Sequence, residues 1–237
     1  MSVTAIEKKS SQFTYGLQAG VSIAIGFIPI ALTFGLLAKA TGLSVTETML
    51  MSLLVFAGAS QYIALNLLTL GTGMFEIILT TFIVNIRHFL MSASLNEKME
   101  AAPRSVKALY SFGITDESFS IVSTREGKIP TGFLVGVISI SYSSWVVSSV
   151  IGHLIGSSLP STLKESLGIA LYAMFVGILV PSLKKHRKVI YLAGLAAVLN
   201  SIFYLVVDPG WAIVSATLLS SVIVELVASR KEKQDGN

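Results

Sequence analysis

The chain alternates long charge-free apolar runs with short polar clusters. No charge interrupts it between Lys9 and Lys39, and about 20 apolar residues are enough to cross the hydrocarbon layer of a membrane. Gly16–Ala38 is therefore predicted to be a first membrane span, retained in the protein. The further charge-free runs of similar length are Thr48–Phe75, Ile129–Gly152, Ser166–Leu183, Val189–Val207 and Pro209–Val224. With Glu76–Leu95, which is mostly apolar, the pattern predicts an all-α polytopic bundle of seven or eight membrane spans.

One run allows two interpretations. Ala108–Thr124 is short, only moderately apolar, and contains Asp116 and Glu117 side by side. It either crosses the membrane, which gives eight spans, or enters it and returns, which gives seven. Irregular backbone at membrane depth is tolerated only inside protein or beside a water-filled cavity. A re-entrant segment here would therefore indicate a translocation pathway.

Composition supports the membrane prediction. Of the 237 residues, 53% are hydrophobic and 13% are charged, whereas soluble domains carry roughly a quarter charged residues. The net charge of +4 comes from clusters that flank the apolar runs, as in the positive-inside pattern, so a nucleic-acid partner is not expected. The chain has no cysteine, which excludes disulfides, thiol catalysis and Cys-ligated metal. No cofactor or metal site is predicted.

Basic clusters predict the orientation. The densest consists of Lys184, Lys185, Arg187 and Lys188, and a second, of Arg230, Lys231 and Lys233, lies in the tail. Both should face the cytoplasm, with the C-terminus, while the loop 156–165 should lie outside. Further upstream the rule is indecisive, and the N-terminus lies inside with eight spans and outside with seven. The predicted organisation is a polar segment (1–15), one transmembrane permease domain (16–228) and a basic tail (229–237).

Three polar side chains lie near the middle of the Glu76–Leu95 run: Asn85, Arg87 and His88. An ionisable residue at the bilayer centre costs about 2.5–3.5 kcal/mol on insertion scales, and is usually turned toward the bundle interior or a cavity. Arginine offers a planar fork for a carboxylate, and histidine titrates near neutral pH. The alternatives are a substrate site and a structural ion pair of Arg87 with Asp116 or with Glu117.

Two other segments are candidates for a translocation site. Gly26 and Pro29 lie inside the first span, where proline predicts a kink or a break and a broken helix would expose backbone groups. The second segment, with Gly58, Ser60 and Gln61, places small residues and an amide at mid-membrane. Simple kinking and ordinary helix packing remain the alternative explanations.

Three motifs together resemble the AzlC family, the large subunits of bacterial branched-chain amino acid exporters. They are Phe-Ala-Gly-Ala-Ser-Gln at 56–61, Asn-Ile-Arg-His-Phe-Leu-Met-Ser at 85–92 and Thr-Asp-Glu-Ser-Phe at 115–119. The resemblance runs from about Gly16 to Arg125. It implies export of branched-chain amino acids across the bacterial cytoplasmic membrane, together with a small AzlD-like membrane subunit.

The residues and the resemblance lead to one main hypothesis, a secondary-type, proton-coupled exporter. The substrate carboxylate would meet Arg87 or amide groups near Pro29, and its side chain would rest on aromatic residues such as Phe34. The residues assigned to substrate binding or translocation are Arg87, Asn85, Gln61, Ser60, Gly58, Pro29, Gly26 and Phe34, with Phe27 and Phe56 as further apolar contacts. The proton or charge relay is assigned to His88, Asp116 and Glu117.

Two other hypotheses remain. An intramembrane hydrolase would use Ser60 as nucleophile and His88 or His153 as base. The third is an auxiliary membrane subunit without transport activity of its own.

Overall fold

The computed structural model describes residues 3–156, 160, 176, 179–180, 183–184 and 187–235, with side chains described from residue 12 to residue 228 within those ranges. The named helices in this part of the chain are α1 (Val3–Ala40), α2 (Val45–Leu54), α3 (Gly58–Thr69), α4 (Met74–Lys98), α5 (Arg104–Phe112), α6 (Asp116–Ser123), α7 (Thr131–Ile155), α8 (Arg187–Phe203) and α9 (Pro209–Asp235). The described residues form no strand, only an isolated bridge between Met99 and Ile129. The predicted all-α membrane bundle is confirmed.

Within these ranges, four helical segments are long and apolar enough to cross a membrane. They are Gln12–Ala40, Met74–Lys98, Thr131–Ile155 and Pro209–Ala228. Each covers or nearly matches one of the predicted apolar runs. The Val189–Val207 run corresponds to α8, which has 17 residues. The Ser166–Leu183 run, the loop 156–165 and the side chains of Lys185 and of the basic tail lie wholly or mostly outside the described residues.

Contacts divide the chain into two compact units. The first comprises Met1–Tyr62 and Val84–Gly168, and the second Ile63–Ile83 and Ile169–Asn237. In the second unit α8 packs on α9. There the buried carboxylate of Glu76 (8% exposed) accepts a hydrogen bond from the Trp211 backbone N–H at 2.8 Å. Glu76 therefore supplies an acceptor to the N-terminal turn of α9, where a negative charge is favourable.

The first unit is built on the pair α1 and α7, which run in the same direction. The pairing starts with Gly16 against Phe133 and continues to Gly35 against Ser149. A Cβ atom at either glycine would overlap the facing backbone carbonyl. The small residues thus allow the two backbones to touch, as expected for membrane helices. The end of this unit where α1 and α7 begin is called the N side below, and the end where they finish is called the C side.

The first helix is continuous through Pro29, so the predicted break is wrong. Proline removes one helical hydrogen bond, and membrane helices tolerate this when neighbouring groups supply replacements. Thr33 Oγ1 donates to the Pro29 carbonyl at 2.8 Å, which does not replace the lost bond, because the acceptor that proline leaves without a backbone donor is the carbonyl of residue 25. Phe27 and Ala31 on either side are buried, so tertiary packing holds the helix across the proline.

A helix break forms instead in the second apolar run. α2 and α3 are separated by residues 55–57, which have no helical structure. Thr48 in α2 hydrogen-bonds His153 near the C side, whereas the Leu53 carbonyl accepts from Tyr142 in the middle of α7. Beyond the break, Tyr62 donates to the carbonyl of Ile30, back toward the C side. The chain therefore reverses direction, and residues 45–62 are named the first hairpin.

The Ala108–Thr124 segment also reverses, which favours its re-entrant interpretation over a span. Lys107 Nζ in α5 donates to Asn96 Oδ1 at 2.8 Å, and Lys98 Nζ donates to the carbonyl of Ser123, at the end of α6, at 2.9 Å. Both ends of the segment thus lie beside the C-terminal end of α4. Helices of nine and eight residues are only about 12–14 Å long, against about 30 Å of hydrocarbon. Residues 104–123 are named the second hairpin.

The tips of the two hairpins meet on one side chain. The ring of Tyr142 lies 5.1 Å from that of Phe56 at the first tip and 6.1 Å from that of Phe112 at the second, both edge-on. The hairpins enter the first unit from opposite sides and reach the middle of α7. Two of the predicted runs, Thr48–Phe75 and Ala108–Thr124, therefore contain hairpins in the part of the chain that the structure describes.

Candidate functional site

The central polar feature is an ion pair between α4 and the second hairpin. Arg87 Nη1 lies 2.8 Å from Asp116 Oδ2, and the two side chains are 37% and 35% exposed. Asp116 is the first residue of α6, directly after the tip of the hairpin. The structure therefore brings together the two charged motifs that the sequence singled out.

The Thr-Asp-Glu-Ser motif is a helix start. Thr115 is the N-cap of α6: its side chain accepts from the Ser118 backbone N–H at 3.3 Å, and Ser118 Oγ accepts from the Thr115 N–H at 2.8 Å. Asp116 and Glu117 occupy the first turn, where the helix dipole favours negative charge. The capping box thus fixes the position from which Asp116 meets Arg87.

Donor and acceptor capacity remains around the ion pair. Among the described residues, Arg87 Nε and Asn85 Oδ1 are buried atoms without a hydrogen-bond partner. Leaving a buried polar group unpaired costs about 1–3 kcal/mol. Because Nη1 faces Asp116, the opposite edge of the guanidinium, formed by Nε and Nη2, keeps the fork that fits a second carboxylate. His88 and Glu117 lie next to the paired residues in sequence and are half-buried.

The other predicted residues gather around Trp145 of α7, which is 2% exposed. Trp145 Nε1 donates to Gln61 Oε1 at 2.9 Å. Its indole packs on Phe34, with 6.3 Å between ring centroids, and a Cβ at Gly58 would lie 2.6 Å from the indole. Phe27 and Phe56 complete this buried cluster. No hydrogen bond, ion pair or ring contact among the described residues joins it to Arg87.

Ser60 has a structural place. Its side chain is fully buried, and Oγ donates to the Ala57 carbonyl at 2.9 Å, at the start of α3. His153, one of the two proposed bases, hydrogen-bonds Thr48 instead. The hydrolase hypothesis therefore gains no catalytic geometry within the described residues. Gly26 and Pro29 are exposed on α1, and a Cβ at Gly26 would meet nothing within 4 Å.

Sequence reasoning missed three residues that organise this region. Trp145 and Tyr142 lie in the Ile129–Gly152 run, which was predicted only as a membrane span, yet they contact both hairpin tips. Glu76 was interpreted only as the first residue of an apolar run, yet its side chain is buried against the N-terminal turn of α9. Aromatic residues at mid-span were the available signal for the first two, whereas the partner of Glu76 lies 135 residues away.

Comparison with known proteins identifies the family. The family model described as AzlC protein matches residues 22–159, which is more than half of the chain and includes both hairpins. The chain belongs to the AzlC family.

Relatives within and beyond bacteria extend the AzlC match. The inner membrane protein YgaZ of Escherichia coli K12 is 30% identical over 201 residues, covering 81% of this chain and 82% of the relative. An uncharacterized membrane protein of Archaeoglobus fulgidus is 35% identical over 193 residues, covering 80% and 84%. The Bacillus subtilis protein named branched-chain amino acid transport protein AzlC is 28% identical over 172 residues, covering 71% and 66%. No solved structure matches this AzlC-family chain.

Proposed function

We propose that this AzlC-family protein exports branched-chain and similar apolar amino acids across the cytoplasmic membrane, coupled to protons and together with a small AzlD-like membrane subunit. The name of the Bacillus subtilis relative, branched-chain amino acid transport protein AzlC, supports the transport role and the substrate class. The family resemblance of the motifs supports the direction of transport and the partner.

The Arg87–Asp116 ion pair is the observation that carries the proposal. It joins the 25-residue α4 to a hairpin of two short helices whose tip contacts the middle of α7. A substrate carboxylate would bind the free edge of Arg87 and compete with Asp116 for the guanidinium. Weakening of the pair would release the second hairpin, which links substrate binding to movement. Asn85 lies close enough in sequence to contact the same ligand.

Proton coupling is assigned to the titratable side chains of the same region. Asp116 lies in the pair, and His88 and Glu117 lie next to the paired residues in sequence. These three side chains would relay the proton. Gln61, Ser60 and Gly58 of the first hairpin would form the rigid side of the pathway. Phe34 of α1 would join them, with Gly26 and Pro29 on the outer face of α1.

The basic residues suggest which side faces the cytoplasm. Lys98, Lys107 and Lys128 all hydrogen-bond at the N side of the first unit, and Lys8 and Lys9 lie near the start of α1. The C side holds Lys39 and Glu47. By the positive-inside rule, the N side is cytoplasmic. Each hairpin enters and leaves on the same side, so neither adds a crossing of the membrane. The N-terminus would then lie inside with these basic clusters. The C-terminus is still proposed to be cytoplasmic.

Transport is tested in proteoliposomes that contain the protein with and without an AzlD-like subunit, loaded with labelled leucine or valine. We expect efflux that a pH gradient accelerates, and at least a tenfold loss of flux in Arg87→Ala. Arg187→Ala is the matched control, because it removes an exposed arginine at the start of α8, outside both hairpins. Flux that ignores the pH gradient would refute proton coupling, and an Arg87→Ala variant with full flux would refute the role of Arg87.

The orientation is tested by single-cysteine labelling, which the natural absence of cysteine makes direct. Glu126→Cys on the N side and Ala40→Cys on the C side are both exposed positions. A membrane-impermeant maleimide added to intact cells should label only the Ala40→Cys variant. The reverse pattern would invert the proposed topology and the cytoplasmic location of the N side.

A further inference from the structure

A cavity of about 220 Å³ opens between α5 and α7, beside the tip of the second hairpin. Its walls are largely aliphatic and aromatic. The side chains that the argument uses are Leu109 and Phe112 of α5, with Val135, Ile138, Ser139 and Tyr142 of α7. A cavity of this size accommodates an aliphatic side chain such as that of leucine.

The hydroxyl groups in the wall have partners elsewhere. Ser139 Oγ donates to the Val135 carbonyl at 2.7 Å, and Tyr142 donates to the Leu53 carbonyl at 2.7 Å. Because both hydroxyl protons are already donated to backbone carbonyls, neither group can donate a hydrogen bond to a ligand. A polar substituent that entered would lose its water without a compensating donor, which is unfavourable. The cavity therefore favours an apolar group.

The cavity and the ion pair lie on the same hairpin tip. Phe112 ends α5 and Asp116 begins α6, and four residues of chain span at most about 14 Å. One short segment thus carries an apolar wall at one end and the partner of Arg87 at the other. An α-amino acid has the matching arrangement, a carboxylate beside an apolar side chain.

We propose that the α5–α7 cavity is the side-chain pocket of the transported amino acid, and that it selects branched aliphatic side chains. This inference rests on the proposed transport function and adds its specificity site. It differs from the expectation that Phe27, Phe34 and Phe56 receive the side chain, since those rings pack on Trp145 and on one another. The alternative occupants of the cavity are a lipid acyl chain and an apolar side chain of another subunit.

The test fills the pocket and compares substrates. In the proteoliposome assay with the full chain, Ser139→Leu should lower leucine efflux at least tenfold relative to alanine efflux, since misfit of even one methylene group changes discrimination by 10–200-fold. Val147→Phe is the matched control, because Val147 lies on the same helix, is 55% exposed and does not line the cavity. Its ratio of leucine to alanine efflux should equal that of the wild type.

The opposite variant guards against misfolding. Ile138→Ala enlarges the pocket and should raise phenylalanine efflux relative to valine efflux. Equal loss of all substrates in Ser139→Leu, with an unchanged ratio in Ile138→Ala, would overturn the inference and favour a lipid or another subunit as occupant. A wild-type protein that moves no amino acid would instead refute the proposed function itself.

Discussion

The two hairpins of the first unit are held in place by different kinds of interaction. The first, residues 45–62, is held by buried groups: an indole-to-amide hydrogen bond, aromatic packing around Trp145, and tyrosine hydroxyls that reach backbone carbonyls. The second, residues 104–123, is tied to α4 by the partly exposed Arg87–Asp116 pair and by lysine contacts at its ends.

The difference assigns different tasks to the hairpins. Buried, satisfied polar networks rigidify a structure, whereas an ion pair that is more than a third exposed contributes little to stability. The first hairpin therefore serves as a fixed wall. The second can exchange its partner at small energetic cost, and it carries both the Arg87 contact and the cavity. Alternating access is then expected to move residues 104–123 against α7 and the first hairpin.

Replacing Trp145 with alanine should be the most damaging change to the fixed wall. It leaves a large cavity beside Phe27 and Phe34, and it removes the donor to Gln61. Core Trp→Ala substitutions lower the free energy of unfolding by about 3–5 kcal/mol. Denaturant unfolding in detergent measures this value. Trp211→Ala is the control, because that indole is 40% exposed and its loss should cost clearly less. Equal losses would contradict the rigid role of the first hairpin.

Glycine substitutions compare the tips directly. A Cβ at Gly58 meets the Trp145 ring, which its neighbours hold in place, whereas a Cβ at Gly113 meets the side chain of Ile138. The nearest distance is 2.6 Å to the indole and is shorter still to Ile138 Cγ2, and a β-branched isoleucine has one strongly preferred χ1 rotamer in a helix. Overpacking costs about 1–3 kcal/mol, so Gly58→Ala and Gly113→Ala should both lower the melting temperature. A variant that keeps the wild-type melting temperature would show that its tip is free to shift.

The sequence predicted the helices better than it predicted how they pair. Long apolar runs are sufficient for α1, α4, α7 and α9, because length and apolarity decide whether a helix spans. They failed for Thr48–Phe75, whose apolar character is uniform although the chain reverses at residues 55–57. The break depends on a hydrogen bond from Tyr142, 89 residues from Leu53, and no local pattern contains it.

For the candidate site, polar and charged residues within apolar runs could be identified from the sequence. Which of these residues contact one another could not. Arg87 and Asp116 stood out because lipid penalises charge, and the structure joins them. Gln61 and Phe34 stood out as polar or aromatic groups at mid-membrane, and the structure places them around Trp145. A kink or a break of α1 was expected at Pro29, and the helix is continuous there in contact with α7, which a rule based on one residue does not capture.

A smaller effect is expected at the N-cap of α6. Thr115→Ala removes the side-chain acceptor for the Ser118 N–H, and loss of such a cap costs about 1 kcal/mol. Thr115→Ser keeps the hydroxyl and is the control. Because the cap also positions Asp116, Thr115→Ala should reduce leucine flux more than its stability loss explains. Unchanged flux in a correctly folded Thr115→Ala protein would separate the cap from transport.

The smallest effect on stability is expected where the effect on transport is largest. A double-mutant cycle of Arg87→Ala and Asp116→Ala, read by denaturant unfolding, should give a coupling of only about 0.2–1 kcal/mol, because exposed pairs are screened and lose side-chain entropy. Leucine flux in the same variants should fall at least tenfold. A coupling of about 3–5 kcal/mol, typical of breaking a buried pair, would make Arg87–Asp116 a structural lock. The second hairpin would then be as fixed as the first, and the moving element would have to lie elsewhere.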